Sequence, residues 1–80
     1  MFIDLLFFAL YKELAGTDSK RIEVPPSTTV ADLVQIVRAI PGLERLPEDP
    51  VVAVNQEYAA PEVVLEEDDE VAFLPPVAGG

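Results

Sequence analysis

Thr28 to Gly42 reads TTVADLVQIVRAIPG, and its apolar residues recur with a helical period. Val30, Leu33, Val34, Val37 and Ile40 fall on one face, while Asp32, Gln35 and Arg38 fall on the other. Thr29 is a good N-cap, and Asp32 three residues on forms a variant of the capping box. Pro41 and Gly42 end the segment. A helix with a single apolar face must lay that face on another element, and the flanking residues are strand formers.

Upstream, Lys20 to Val24 (KRIEV) alternates as a strand and is stopped by Pro25 and Pro26. Leu10 to Ala15 has room for one or two helical turns closed by Gly16. Residues 2–10 are almost continuously apolar, a pattern that suits a strand buried on both faces or a short buried helix. Phenylalanine and isoleucine favour the strand. Its sole charge, Asp4, shares the even-numbered face with Phe2, Leu6 and Phe8, so the face carrying Ile3, Leu5, Phe7 and Ala9 is expected to meet the core. Downstream, Leu43 to Pro50 reads as a loop and Val51 to Val54 (VVAV) as a short strand. Asn55-Gln56-Glu57 reads as a turn and Tyr58-Ala59 as a brief return strand. Pro61 to Leu65 crosses over, Glu66 to Glu70 (EEDDE) forms a solvated acidic turn, and Val71 to Leu74 (VAFL) is the last strand.

Eighty residues hold one core. The element order predicts an α+β, β-grasp (ubiquitin-like) fold, a mixed sheet of about five strands with one main helix on one face. A single domain over 1–80 is expected, globular over 1–74 and extended over 75–80. One helix covers only one face of such a sheet. The other face then shows Leu6, Phe8 and Leu74, either as a docking surface or beneath folded loops.

Composition removes several functions. Fifteen acids against five bases give a formal charge of −10, which repels nucleic acid and anionic membranes and suits a basic protein partner. With no cysteine and no histidine, there is neither a thiolate or imidazole metal site nor the usual nucleophile and neutral-pH base. EEDDE lacks the alternating oxygen ligands and the glycine of a calcium loop, and no glycine-rich phosphate loop exists. MFIDLLFFAL is too short to span a bilayer and lacks a positive n-region, so a cytoplasmic location is expected.

What remains is PPVAGG, Pro75 to Gly80. Pro75 and Pro76 cannot donate to a ladder and favour an extended stem. Six residues reach roughly 20 Å at about 3.3 Å each. Val77 can anchor in an apolar groove, and Ala78, Gly79 and Gly80 are thin enough for a narrow channel. A terminal carboxyl, with a pKa of about 3.3, is ionised at neutral pH and inert as an acyl donor until something such as ATP activates it. A frayed tail with no role is the alternative.

Phe7-Phe8-Ala9, Val54-Asn55 and Asp69 to Gly80 (DEVAFLPPVAGG) together resemble the small subunit of molybdopterin synthase, in the MoaD/ThiS-like family of sulfur carriers. The resemblance covers the element order of the whole chain, and its specific part is the ending. It implies that Gly80 is adenylated by a ubiquitin-activating-like enzyme that uses ATP. A sulfur donor protein then makes it a thiocarboxylate, and the tail enters the large synthase subunit. There the sulfur passes to cyclic pyranopterin monophosphate to build molybdopterin, in a heterotetramer with no cofactor bound by the small subunit. Gly79 gives clearance, and Phe8, Tyr58 and Leu74 match positions of apolar partner contact. A bare Gly-Gly is shared with thiamin-type carriers and with modifiers joined to lysines, which stay open as alternatives. One departure is visible: Asp68 stands where the family often has glycine.

Overall fold

A computed structural model describes residues 1–76. The elements follow as β1 (Phe2–Phe7), α1 (Leu10–Ala15), β2 (Ser19–Glu23), α2 (Val30–Arg38), β3 (Val51–Val54), β4 (Glu57–Tyr58) and β5 (Glu70–Leu74). They build a five-stranded sheet in the order β2-β1-β5-β3-β4. β1 runs parallel to β5, and the other neighbouring pairs are antiparallel. The expected α+β, β-grasp architecture is present, with β5 in the middle of the sheet.

Parity on β1 falls as Asp4 predicted. Ile3, Leu5 and Phe7 are buried, and Asp4 and Leu6 on the other face are half-buried. The strand ends at Phe7, however, so Ala9 does not join the core face. Ala9 has φ 49° and ψ −124° and is exposed, and this backbone turns the chain out of β1 into α1. Gly16, at φ 74°, closes α1 in the left-handed conformation.

α2 begins as its sequence specified. Thr29 Oγ1 accepts from the Asp32 amide at 3.1 Å, and an Asp32 carboxylate oxygen accepts from the Thr29 amide at 3.2 Å. Val30, Leu33, Val34 and Val37 are buried against the sheet, whereas Ile40 lies past the end of α2 and is half-buried. Thr29→Ala leaves the Asp32 amide without its acceptor and should cost about 1 kcal/mol of stability. A chemical denaturation midpoint equal to that of the parent would refute the cap's contribution.

The core joins β1, β5 and α2 with Val52 of β3 and Leu65. At its centre the rings of Phe7 and Phe73 stack with centroids 5.8 Å apart and planes 14° from parallel. The loop after α2 contributes more than expected, because Leu43 and Leu46 are both buried. Two contacts hold it down. Arg38 Nε donates to the Leu46 carbonyl at 2.8 Å. Gly42, at φ 93°, lies so close to α1 that an added Cβ would sit 2.7 Å from the Leu14 carbonyl oxygen. This approach admits only glycine.

The acidic turn is solvent-exposed as expected at Glu66, Glu67 and Asp68, and its carboxylates are also hydrogen-bonded. A Glu67 carboxylate oxygen accepts from the Phe2 amide at 2.8 Å. Asp69 Oδ1 accepts from Asn55 Nδ2 at 2.9 Å and Oδ2 from the Glu66 amide at 2.7 Å. Asp68, at the position of the family's glycine, takes φ 67°, a left-handed conformation that aspartate tolerates better than most residues. The return strand comprises Glu57 and Tyr58, entered through Asn55 and Gln56 with φ of 50° and 73°. Positive φ at both central residues matches a two-residue hairpin to the strand twist. Among the described residues no helix is long and apolar enough to cross a membrane.

Candidate functional site: an apolar trough beside the exit of β5

The sheet face away from α2 is assembled by register. Leu6 of β1 pairs with Ala72 of β5, Ala72 with Ala53 of β3, and Ala53 with Tyr58 of β4. Paired residues share a face, so these side chains form one row across four strands. The two alanines in the middle are short, which leaves a trough between Leu6 and Phe8 on one side and Tyr58 on the other. Leu74 closes one end and Glu70 the other, around a volume of about 410 Å³. A second concavity of about 570 Å³ continues from it, lined by Val51, Tyr58, Leu74, Pro75 and Pro76. The chain therefore leaves β5 along an apolar surface.

Phe8, Tyr58 and Leu74 are brought together here, although they come from three separate parts of the sequence. Phe8 is 46% exposed and Tyr58 81%, while Leu74 is half-buried. Among the described residues no folded loop covers the trough, so the docking-surface alternative is the one they favour. Three lining residues were not singled out as site residues in the sequence. Val51 is 45% exposed beside Leu74, and Ala53 and Ala72 make the floor. For Ala53 and Ala72 the only available sign was alternation, small residues on the same parity as Leu74 and Val51. Pro75 is half-buried and Pro76 exposed. Val77, Ala78, Gly79 and Gly80 lie outside the described residues.

Electrostatics frames the opposite margin of the face. The Arg21 guanidinium on β2 donates through Nη1 to both carboxylate oxygens of Asp4 at 3.0 Å and through Nη2 to Asp68. Its Cζ lies 5.2 Å from the centroid of the Phe2 ring. The hydrogen bonds to Asp68 and then Asp4 hold the Arg21 pKa above its ordinary value. Arg21 thus ties β1, β2 and the acidic turn together while its charge is absorbed by its own neighbours. Also at the start of β5, Asn55 Oδ1 accepts from the Glu70 amide at 3.0 Å, and the Asn55 amide donates to the Glu70 carbonyl at 2.7 Å. Asn55 and Arg21 anchor the start of the strand whose far end leads into the tail.

Among the described residues no group of three His, Cys, Asp or Glu side chains is placed to hold a metal ion. The trough has no acid–base pair of its own.

Comparison with known proteins follows the same lines. The family model described as "ThiS family" matches residues 5–80. The chain belongs to the ThiS family. Over its full length this ThiS-family chain is 39% identical to a Chlamydomonas reinhardtii protein named molybdopterin synthase sulfur carrier subunit, covering 100% of each. An Arabidopsis thaliana protein of the same name is 35% identical, with 98% of this chain and 82% of that protein covered. Among solved structures, SAMP1 from Haloferax volcanii superposes with a TM-score of 0.84 at 32% identity, covering 100% of both chains. The same Haloferax protein is also described as small archaeal modifier protein 1. ThiS-family membership thus agrees with the resemblance read from Phe7-Phe8-Ala9, Val54-Asn55 and the ending.

Proposed function

We propose that this chain is the sulfur carrier subunit of molybdopterin synthase, acting in the cytoplasm. The observation that carries this reading is the full-length likeness to a protein of that name, at 39% identity with both chains wholly covered. The geometry supports it through the apolar trough that flanks the exit of β5. Residues 1–74 serve as the globular handle and 75–80 as the tail.

The chemistry assigns each part a task. The Gly80 carboxylate attacks the α-phosphorus of ATP within the activating enzyme, and pyrophosphate leaves. The terminal sulfur of a donor protein's persulfide then attacks the acyl carbon and displaces AMP, and a thiol cleaves the resulting acyl disulfide, which releases the thiocarboxylate and leaves a disulfide on the donor side. This anion presents a soft sulfur nucleophile to cyclic pyranopterin monophosphate in the large subunit, in a heterotetrameric assembly. Gly79 and Ala78 leave clearance for the channel, Val77 anchors, and Pro75 and Pro76 restrict the stem. Phe8, Tyr58 and Leu74 dock the partner. ATP is a substrate of the activating enzyme, so the carrier itself holds no cofactor.

Mass spectrometry tests this directly. Protein incubated with its activating enzyme, ATP and a sulfur donor should gain the mass of one oxygen replaced by sulfur at the C-terminal peptide. No gain under conditions that thiolate an established carrier overturns the reading. Docking has its own test. Phe8→Asp buries a charge in the trough contact and should weaken the complex with the large subunit by on the order of 2 kcal/mol or more. Its melting temperature should stay at the parental value, because Phe8 lies outside the core. Parental affinity by titration calorimetry would remove Phe8 from the interface.

A second reading is favoured by one observation, the likeness to a small archaeal modifier protein. A modifier would form stable bonds between Gly80 and target lysines. Such conjugates, recovered from cells and absent after deletion of Gly79 and Gly80, would support it. A thiamin-type carrier would instead load sulfur and fail to deliver it to the molybdopterin precursor.

A further inference from the structure

A separate groove of about 410 Å³ lies on the other side of Tyr58 from the trough. Val63 and Val64, from the crossover before the acidic turn, present apolar surface to it and are 39% and 55% exposed. The fold does not require these side chains. The crossover is held by its backbone, through the bridge between Val64 and Thr29 and the bond from the Val30 amide to the Val63 carbonyl at 2.9 Å. Around the valines stand three carboxylates, Glu57, Glu66 and Asp69, and no lysine or arginine lines the groove. Asp69 is engaged by Asn55 and by the Glu66 amide. Among the described residues Glu57 and Glu66 form no salt bridge, since the ion pairs present join Arg21 to Asp4 and Asp68 and Arg38 to Glu48.

We infer that this groove is a second docking surface, built for a lysine- or arginine-bearing segment of a protein partner. The match is chemical. A long cationic side chain has an apolar stem and a charged head. The stem would lie on Val63 and Val64, and the head would reach Glu57 or Glu66. The largely exposed Tyr58 ring beside them offers a face to a second cation. An apolar patch rimmed by charge of one sign is a recurrent form of protein contact, and it rejects phosphate backbones and anionic lipid. Because Tyr58 stands between trough and groove, a partner seated in the trough can extend into the groove without releasing its first contact. The inference goes beyond the sulfur-carrier reading and needs neither ATP nor a thiocarboxylate for its test.

The test is an NMR titration of the full chain, labelled with nitrogen-15, using a capped synthetic peptide that alternates arginine and leucine. The expected result is saturable shifts centred on Glu57, Tyr58, Val63, Val64 and Glu66, weakening as salt is raised. Glu57→Gln combined with Glu66→Gln should lower affinity about tenfold. Glu48→Gln combined with Asp49→Asn removes the same charge from the 43–50 loop and should change affinity by less than about twofold. Val64→Ser should weaken binding while the melting temperature holds. Shifts spread evenly over the acidic surface, or equal losses in the two double variants, would mean attraction to net charge alone and would overturn the inference. Shifts that appear on raising protein concentration without peptide would assign the groove to a second copy of this chain, and would overturn it equally.

Discussion

Replacing Gly80 with glutamate, or adding one residue after it, is expected to abolish sulfur loading and transfer while leaving thermal stability unchanged. Both changes act on the tail alone. The last buried core residue among those described is Phe73, and Leu74 and Pro75 after it are already half-buried. Gly80 has no side chain, so neither change deletes one. What changes is the position of the acyl carbon in the activating enzyme. Holding reacting groups in register supplies much of the rate in such transfers, and a displacement of about 1 Å costs roughly 100-fold. One added residue moves the carboxylate by about 3.3 Å and places a Cβ or a new peptide where clearance was needed. The measurement is the extent of thiocarboxylate formation by mass spectrometry, paired with a melting curve. Loading at the parental rate would remove Gly80 from the chemistry, and a lowered melting temperature would place the tail within the folded unit.

Phe73→Ala should have the largest effect on stability. Phe73 sits on β5, fully buried, with its ring stacked on Phe7 and its neighbours drawn from β1, β3 and α2. Truncating a buried phenylalanine costs about 3–5 kcal/mol, through lost transfer energy and the cavity left behind. A chain of eighty residues has a total stability of roughly 4–12 kcal/mol, at about 0.05–0.15 per residue. The variant should therefore melt on the order of 15 °C lower or fail to fold. Its neighbour provides the control. Leu74→Ala, one residue on and facing the trough, should lose partner affinity and little stability. A melting temperature within about 4 °C of the parent for Phe73→Ala would contradict the position of β5 at the centre of the core.

The contrast between Phe73 and Leu74 also shows how sequence and structure divide the work. Strand parity was legible because one charged residue, Asp4, marked the wet face of β1, and a period of two carried that assignment along the strand. The start of α2 was legible because a threonine and an aspartate three residues apart bond to each other locally. At Asp68 the departure from the family's glycine left the form of the turn open, and the structure gives it φ 67°. Leu43 and Leu46 were not legible, because a proline-rich loop has no period to announce burial. Nor was the wiring of the acidic turn, which read as solvent-exposed charge. Its partners, Phe2, Arg21 and Asn55, come from three distant segments.

Sequence alone determined the order of elements, the main helix with its cap and the core face of the first strand, and it pointed to the tail as the proposed seat of function. These rest on local bonds and on periodicity, which act over a few residues. The tertiary structure decided that Phe8, Tyr58 and Leu74 stand around one trough, that Ala53 and Ala72 floor it, and that β5 is central. Those follow from the register between strands, and register depends on which distant residues pair once the core has closed.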